Sequence, residues 1–214
     1  MMDLPGSQIW PYRPLVEIAE VFLGLASPRH VAGEADGSST FPVINVRDLD
    51  DGRVAPLDSL ESRAVGSGFP ADRYRVREED VVVTCRGTQL KVAQVGDSAR
   101  GAVISSNLIG IRPGPDVLPS VLFAYFRSSQ GQAALLGRSR SSTQTLALSP
   151  KSVGRIAVPV PPMEVQRRVA ELVRLAEESY AAAVEAAEWR RKVAHHVAIN
   201  LMTGALDTEP REKG

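Results

Sequence analysis

From Met163 to Met202 the chain runs for 40 residues without a proline or a glycine, in a stretch rich in Ala, Glu, Arg and Leu. Nothing in it interrupts a backbone hydrogen-bond ladder, so one helix is expected, roughly 60 Å long at about 1.5 Å per residue. Val169, Leu172, Ala176, Tyr180, Ala183, Ala187, Ala194, Val197 and Leu201 fall at steps of three or four, with one seven-residue gap spanning Arg190 and Arg191. A stripe so narrow and so rich in alanine requires another helix packed close against it. No second run of this kind exists in the sequence, so a partner helix is expected from outside the chain. Gly204 stands where a left-handed residue would end the helix.

Upstream, the prolines at 159, 161 and 162 form a boundary that neither helix nor central strand can cross. The expected organisation is a globular domain over 1–160, the long helix over 161–206 and a disordered tail over 207–214. Within the domain, "PLVEIAEVF" reads as a short helix and "AGEADGSST" as a loop. "FPVINVRDL" reads as a strand, its β-branched residues alternating with polar ones. "VVVTC" and "LKVAQV" follow as strands around a turn at Arg86-Gly87-Thr88, and "AVISSNLIGIRP" as another. The period then changes: "PSVLFAYFRSSQGQAALLG" suits one helix or two short ones starting near Pro119. "SPKSVGRIAVPVPP" reads as one more short strand. The fold class is therefore α+β: a mixed α/β globular domain of several short strands and short helices, followed by one long coiled-coil-like helix.

Net charge is zero, which by itself argues against coating of nucleic acid by bulk electrostatics, but the distribution is uneven. Residues 1–80 hold 8 Lys/Arg against 14 Asp/Glu, residues 81–160 hold 9 against 2, and residues 161–214 hold 8 against 9. The middle third is thus a basic segment inside a neutral protein. A single cysteine, Cys85, excludes an intrachain disulfide and a cysteine-built zinc site, so Cys85 is read as a small buried side chain and the setting as a reducing cytoplasm. The N-terminus lacks a basic leader and an apolar core segment, and no apolar run approaches the ~20 residues of a membrane span.

Catalytic motifs are missing. The sequence has no Asp-Pro-Pro-Tyr run, no glycine-rich phosphate or dinucleotide loop, no His-Glu-x-x-His and no Gly-x-Ser-x-Gly. His30 falls in a loop, and His195 and His196 are adjacent helix positions that point about 100° apart, which suits solvent or a partner rather than a metal. One arrangement imitates a magnesium nuclease: Asp80 at a strand start, then Gln89-x-Lys91 in the next strand. A glutamine replaces the second carboxylate poorly, so an exposed acidic strand start and an ordinary hairpin is the preferred reading. The basic third does carry DNA-reading chemistry, because arginine bonds guanine bidentately, glutamine does the same to adenine, and hydroxyls anchor phosphates. Arg138, Arg140, Ser141, Ser142, Thr143, Gln144 and Thr145 lie in one loop. Arg86, Thr88, Gln89 and Lys91 form a second polar turn, and Ser105, Ser106 and Asn107 a third. By composition alone, the loop fits a solvated linker equally well.

The order of these features resembles the DNA-sequence-specificity subunit of type I restriction-modification systems over nearly the whole chain. The residues that carry the resemblance are "VFLG" at 21–24, "FPVINVRDL" at 41–49, "EEDVVVTCRGTQLKVAQV" at 78–95 and "SSNLIGIRP" at 105–113. They continue with "LFAYFRSSQGQAAL" at 122–135, "SSTQTLALSP" at 141–150, "IAVPVPPMEVQRRVAELV" at 156–173 and "LMTGAL" at 201–206. Where the family has a Glu-Gln pair after the prolines, this chain has Val165 before Gln166 and Glu164 one place early. The family's full subunits have two recognition domains and two long helices, so the chain resembles a half-subunit. The resemblance implies a non-catalytic, DNA-binding protein in which 1–160 is a target recognition domain. It implies an adenine methyltransferase as partner, carrying the S-adenosylmethionine, with no cofactor on this chain, and allows a restriction motor subunit as a further partner. Two such chains would pair through Val169, Leu172, Ala176, Tyr180, Ala183, Ala187, Val197 and Leu201. The alternatives left standing are a small metal-dependent nuclease using Asp80 and Lys91, and a helical adaptor that binds no DNA.

Overall fold

The computed structural model describes residues 10–26, 39–65, 70–139 and 145–204. Two units form, Met1–Ala170 and Glu171–Gly214. The first opens with Tyr12–Pro14 (β1), Leu15–Ile18 (α1), Ala19–Leu23 (β2) and Ser39–Ile44 (β3). Short strands Leu49–Asp50 (β4), Arg53–Val54 (β5) and Glu61–Val65 (β6) follow. Val81–Thr84 (β7), Arg86–Gly87 (β8), Val92–Gln94 (β9), Val103–Ile104 (β10) and Leu108–Pro113 (β11) complete the middle of the chain. Then come Pro119–Arg127 (α2), Ser129–Leu136 (α3), Leu146–Ala147 (β12), Pro150–Gly154 (α4), Ala157–Pro159 (β13) and the long helix Met163–Thr203 (α5).

A six-stranded mixed sheet in the order β2-β11-β7-β9-β5-β4 forms the frame, beside a three-stranded sheet β10-β3-β6 and two strand pairs, β1-β13 and β12-β8. The three valines of β7 are fully buried because the strand is central and covered on both faces, as its unbroken apolar run requires. Val82 joins Ile44, Leu49, Ala93, Ile104 and Leu108 in one cluster. Strand alternation turns Val81 and Val83 to the other face, and α2, which buries Val121, Leu122, Phe123 and Phe126, packs across β7, β9 and β11.

Several expected elements differ. The helix expected over "PLVEIAEVF" lasts only from Leu15 to Ile18, after which β2 pairs antiparallel with β11 from Ala19–Pro113 to Leu23–Ile109. Sheet pairing outweighs the local helical spacing there. The strand at "FPVINVRDL" stops at Ile44, because Asn45 and Asp48 close a capping box over a single helical turn, Val46–Asp48. "AVISSNLIGIRP" is two strands, β10 and β11, separated by a turn in which Leu108 N–H donates to Ser105 O (2.9 Å). The segment "SPKSVGRIAVPVPP" contains an unexpected helix, α4, capped reciprocally by Ser149 and Ser152 with Pro150 at its first position.

The long helix matches its expectation, running from Met163 to Thr203, with Gly204 at φ +70°. Its first turns belong to the domain unit. Gln166 is 1 % exposed: its Oε1 accepts from Leu118 N–H (2.8 Å) and its Nε2 donates to Asp116 O (3.0 Å) and Pro161 O (2.9 Å). From Glu171 onward large apolar side chains face solvent, including Leu172, Leu175, Trp189, Val197 and Leu201. No helix among the described residues is long and apolar enough to cross a membrane.

Candidate nucleic-acid interface

Three polar segments, far apart in the sequence, meet through backbone hydrogen bonds. Asn107 O accepts from Cys85 N–H (2.8 Å) and Arg86 N–H (3.3 Å), while Cys85 O accepts from Leu148 N–H (3.0 Å). Strand β8 pairs with β12, Arg86 opposite Ala147 and Gly87 opposite Leu146. The fully buried Cys85 sits beneath this junction and donates its thiol to Ser106 O (3.4 Å). Burial pushes that thiol up to about 11, with Arg86 pulling weakly the other way. The turn at 105–108 is seated by Gly24, where a Cβ would lie 2.1 Å from Ser105 O. That contact makes glycine necessary at the end of "VFLG".

The junction presents Arg86, Thr88, Gln89, Asn107, Arg138 and Thr145 on the surface, with Ser106 half-buried among them. Arg138 Nη2 donates to Arg155 O (3.3 Å), and Ser139 Oγ accepts from Ala147 N–H (3.0 Å). These two bonds tie the residues before position 140 to those after 144. Arg140, Ser141, Ser142, Thr143 and Gln144 themselves lie outside the described residues. Lys151 and Arg155 are exposed on and just after α4.

Two members of the expected set serve other ends. Ser105 is only 6 % exposed, and its Oγ has no hydrogen-bond partner among the described residues, so it supports the turn from below. Lys91 is half-buried and donates its Nζ to Leu49 O (2.6 Å). The nuclease arrangement likewise dissolves. Asp80, expected at an exposed strand start, is 1 % exposed, and its carboxylate accepts from Arg112 Nε (3.1 Å), Arg112 Nη2 (2.8 Å) and Arg77 N–H (2.8 Å). Burial raises its carboxyl above the ordinary carboxylate range, and Arg112 offsets part of that shift. Among the described residues no group of three or more His, Cys, Asp or Glu is placed to hold a metal ion.

Residue-level reading of the sequence overlooked Gln166, Cys85 and Ser139 as the fixtures of this architecture. For Gln166 a signal was present, since it is the one uncharged amide in a helix start otherwise made of Glu, Arg and apolar residues.

Fold and surface together define a mixed α/β domain that gathers polar turns on one face and continues into a single long helix. No family model matches the chain, and no curated protein matches it in sequence. Solved structures do match in fold. A chain of a type I R-M system, solved to address complex assembly and conformational transition, has a TM-score of 0.60 at 21% identity, covering 91% of this chain and 44% of that one. The HsdS subunit from Thermoanaerobacter tengcongensis gives 0.53 at 18% identity, covering 85% of this chain and 40% of its own. The type I restriction-modification S subunit from M. genitalium gives 0.59 at 14% identity, covering 97% and 49%. The chain therefore has the fold found in S subunits and spans about half the length of the structures it matches.

Proposed function

We propose that this chain is a DNA-specificity half-subunit that directs a partner adenine methyltransferase to a bipartite site. The observation that carries the reading is the convergence of the 86–89, 105–107 and 145–148 segments at Cys85 into one exposed surface of arginine, amide and hydroxyl groups. Such a surface offers bidentate donors for guanine, donor–acceptor amides for adenine and hydroxyls for phosphate. The chain carries no chemistry and no cofactor of its own on this reading, because S-adenosylmethionine is held by the partner. A restriction motor subunit is a further partner that the same architecture admits.

Two copies pair through α5, leaving one recognition domain at each end of a split, symmetric site. The charge pattern favours an antiparallel pair. Between Glu171 and Glu188 the helix holds Glu171, Glu177, Glu178, Glu185 and Glu188 against Arg174 alone, whereas Arg190, Arg191 and Lys192 follow with no acid before Thr203. Reversing one copy sets each basic cluster against the other's acidic stretch, and a parallel pair would stack like charges. The deciding experiment maps methylated adenines across a genome with and without the gene. A bipartite adenine motif that disappears with the gene is expected, and an unchanged methylation pattern contradicts the proposal.

A further inference from the structure

Resting on that DNA-binding reading, we infer that Arg86 and Asn107 form the base-reading pair of the surface, Arg86 selecting guanine and Asn107 adenine at neighbouring base pairs. The argument starts from how firmly each side chain is mounted. Asn107 is the third residue of the turn closed by Leu108 N–H on Ser105 O, and Ser105 is buried beneath it. Its carbonyl oxygen holds the N–H groups of both Cys85 and Arg86. Arg86 is held on its other edge by pairing with Ala147, and Cys85, its chain neighbour, by Leu148 N–H. These two residues therefore stand on backbone fixed from both sides, so little ordering is left to occur on binding.

Among the described residues their side chains are also uncommitted. Both are exposed, and neither makes a side-chain hydrogen bond to another described residue, whereas Arg138, Ser139 and Lys91 spend theirs on backbone groups of the domain. The Arg86 N to Asn107 O contact sets their Cα atoms about 5–6 Å apart. Successive base pairs rise by roughly 3.4 Å, so side chains leaving adjacent mounts reach adjacent steps. A guanidinium matches guanine O6 and N7, and a carboxamide matches adenine N6 and N7. Phosphate contacts then fall to Arg138, Lys151 and Arg155 around the rim.

The test selects bound sequences from a pool of duplexes with a randomised core, using the full-length chain as wild type and as Arg86→Ala, Asn107→Ala and Asn107→Asp. The turn bonds run through backbone atoms, so these variants keep them, and far-ultraviolet circular dichroism checks the fold. The wild type is expected to enrich a motif containing a guanine beside an adenine. Arg86→Ala should relax the guanine and Asn107→Ala the adenine, each by about ten- to a hundredfold in relative affinity at that position alone. Asn107→Asp should move the preference from adenine towards cytosine, whose amino group a carboxylate accepts, and a merely structural residue would cause no such exchange. A wild-type motif that survives all three substitutions overturns the base-reading pair while leaving the DNA-specificity function in place. Uniform weakening with a shallower salt dependence makes these phosphate contacts and overturns it equally. A folded wild type that enriches no motif removes the function itself, and the pair with it.

Discussion

Asp80 is ionisable, almost wholly buried and anchored by three donors, two from Arg112 and one from the Arg77 backbone. Removing Arg112 would strand the carboxylate, so Arg112→Ala should cost about 3–5 kcal/mol in urea unfolding and Asp80→Asn distinctly less. Magnesium should leave both midpoints unchanged, since Arg112 and the Arg77 N–H already occupy the Asp80 carboxylate. Cys85 makes a prediction in pH. Its thiol ionises near 9.0 when unfolded and only at about 11 in the fold, so the unfolded chain loses its proton first as pH rises. Stability should be fully present below pH 9 and fall progressively towards pH 11, by about 2–3 kcal/mol relative to Cys85→Ala measured in parallel by denaturant titration. A difference between the two proteins that stays constant across that range would contradict the assignment. Sequence alone identified Cys85 as a buried apolar side chain, but its place under three converging loops depends on long-range pairing that no local pattern encodes.

Elements were legible where one signal dominated. The long helix and the paired helices after Pro119 were readable from the absence of breakers and the change of period, and β7 from its unbroken valines. The apolar spacing of residues 15–23 suits a helix, and Leu15–Ile18 is one, but β11 supplies the hydrogen bonds that make Ala19–Leu23 a strand. Helix α4 carried a readable cap, Ser149 followed by Pro150, beside a stronger β-like run. Ser105, Ser106 and Asn107 look equivalent in a polar triplet, and only the turn geometry buries the first, half-buries the second and exposes the third. The joint between the last strand and α5 rests on Gln166, whose amide both accepts and donates. Gln166→Leu should destabilise the domain on the order of 3 kcal/mol, by leaving Leu118 N–H and two carbonyls unpaired. Gln166→Glu keeps the acceptor but turns a carboxylate towards two carbonyl oxygens. Its folded pKa is therefore raised, and its stability should recover as pH falls towards the ordinary glutamate value of about 4.3 and be lost as pH rises above it. Unfolding curves across that window, set against the wild type, read this directly.

At the scale of the whole molecule, an alanine-rich seam and a row of exposed Leu, Trp and Val on α5 need cover that the described residues of this chain do not provide. On the proposed reading a second copy supplies it, and orientation then decides what the assembly can read. In a parallel pair the two helix starts, where the domains join, would lie side by side; in an antiparallel pair they stand roughly 60 Å apart, the length of the helix. Cys85 is buried, so an engineered cysteine on α5 is a clean probe. Leu172 and Ala194 lie equally far from Ala183, the middle of the helix. In an antiparallel pair, Leu172→Cys and Ala194→Cys should each fail to form a disulfide dimer alone and should cross-link readily when mixed. In a parallel pair each would cross-link with itself and the mixture would gain nothing. Light scattering should show a dimer at micromolar concentration, and its dissociation should strengthen with salt as the glutamate-to-arginine attractions are screened. A strict monomer would leave each recognition domain to read half a site, and the bipartite reading would fail with it.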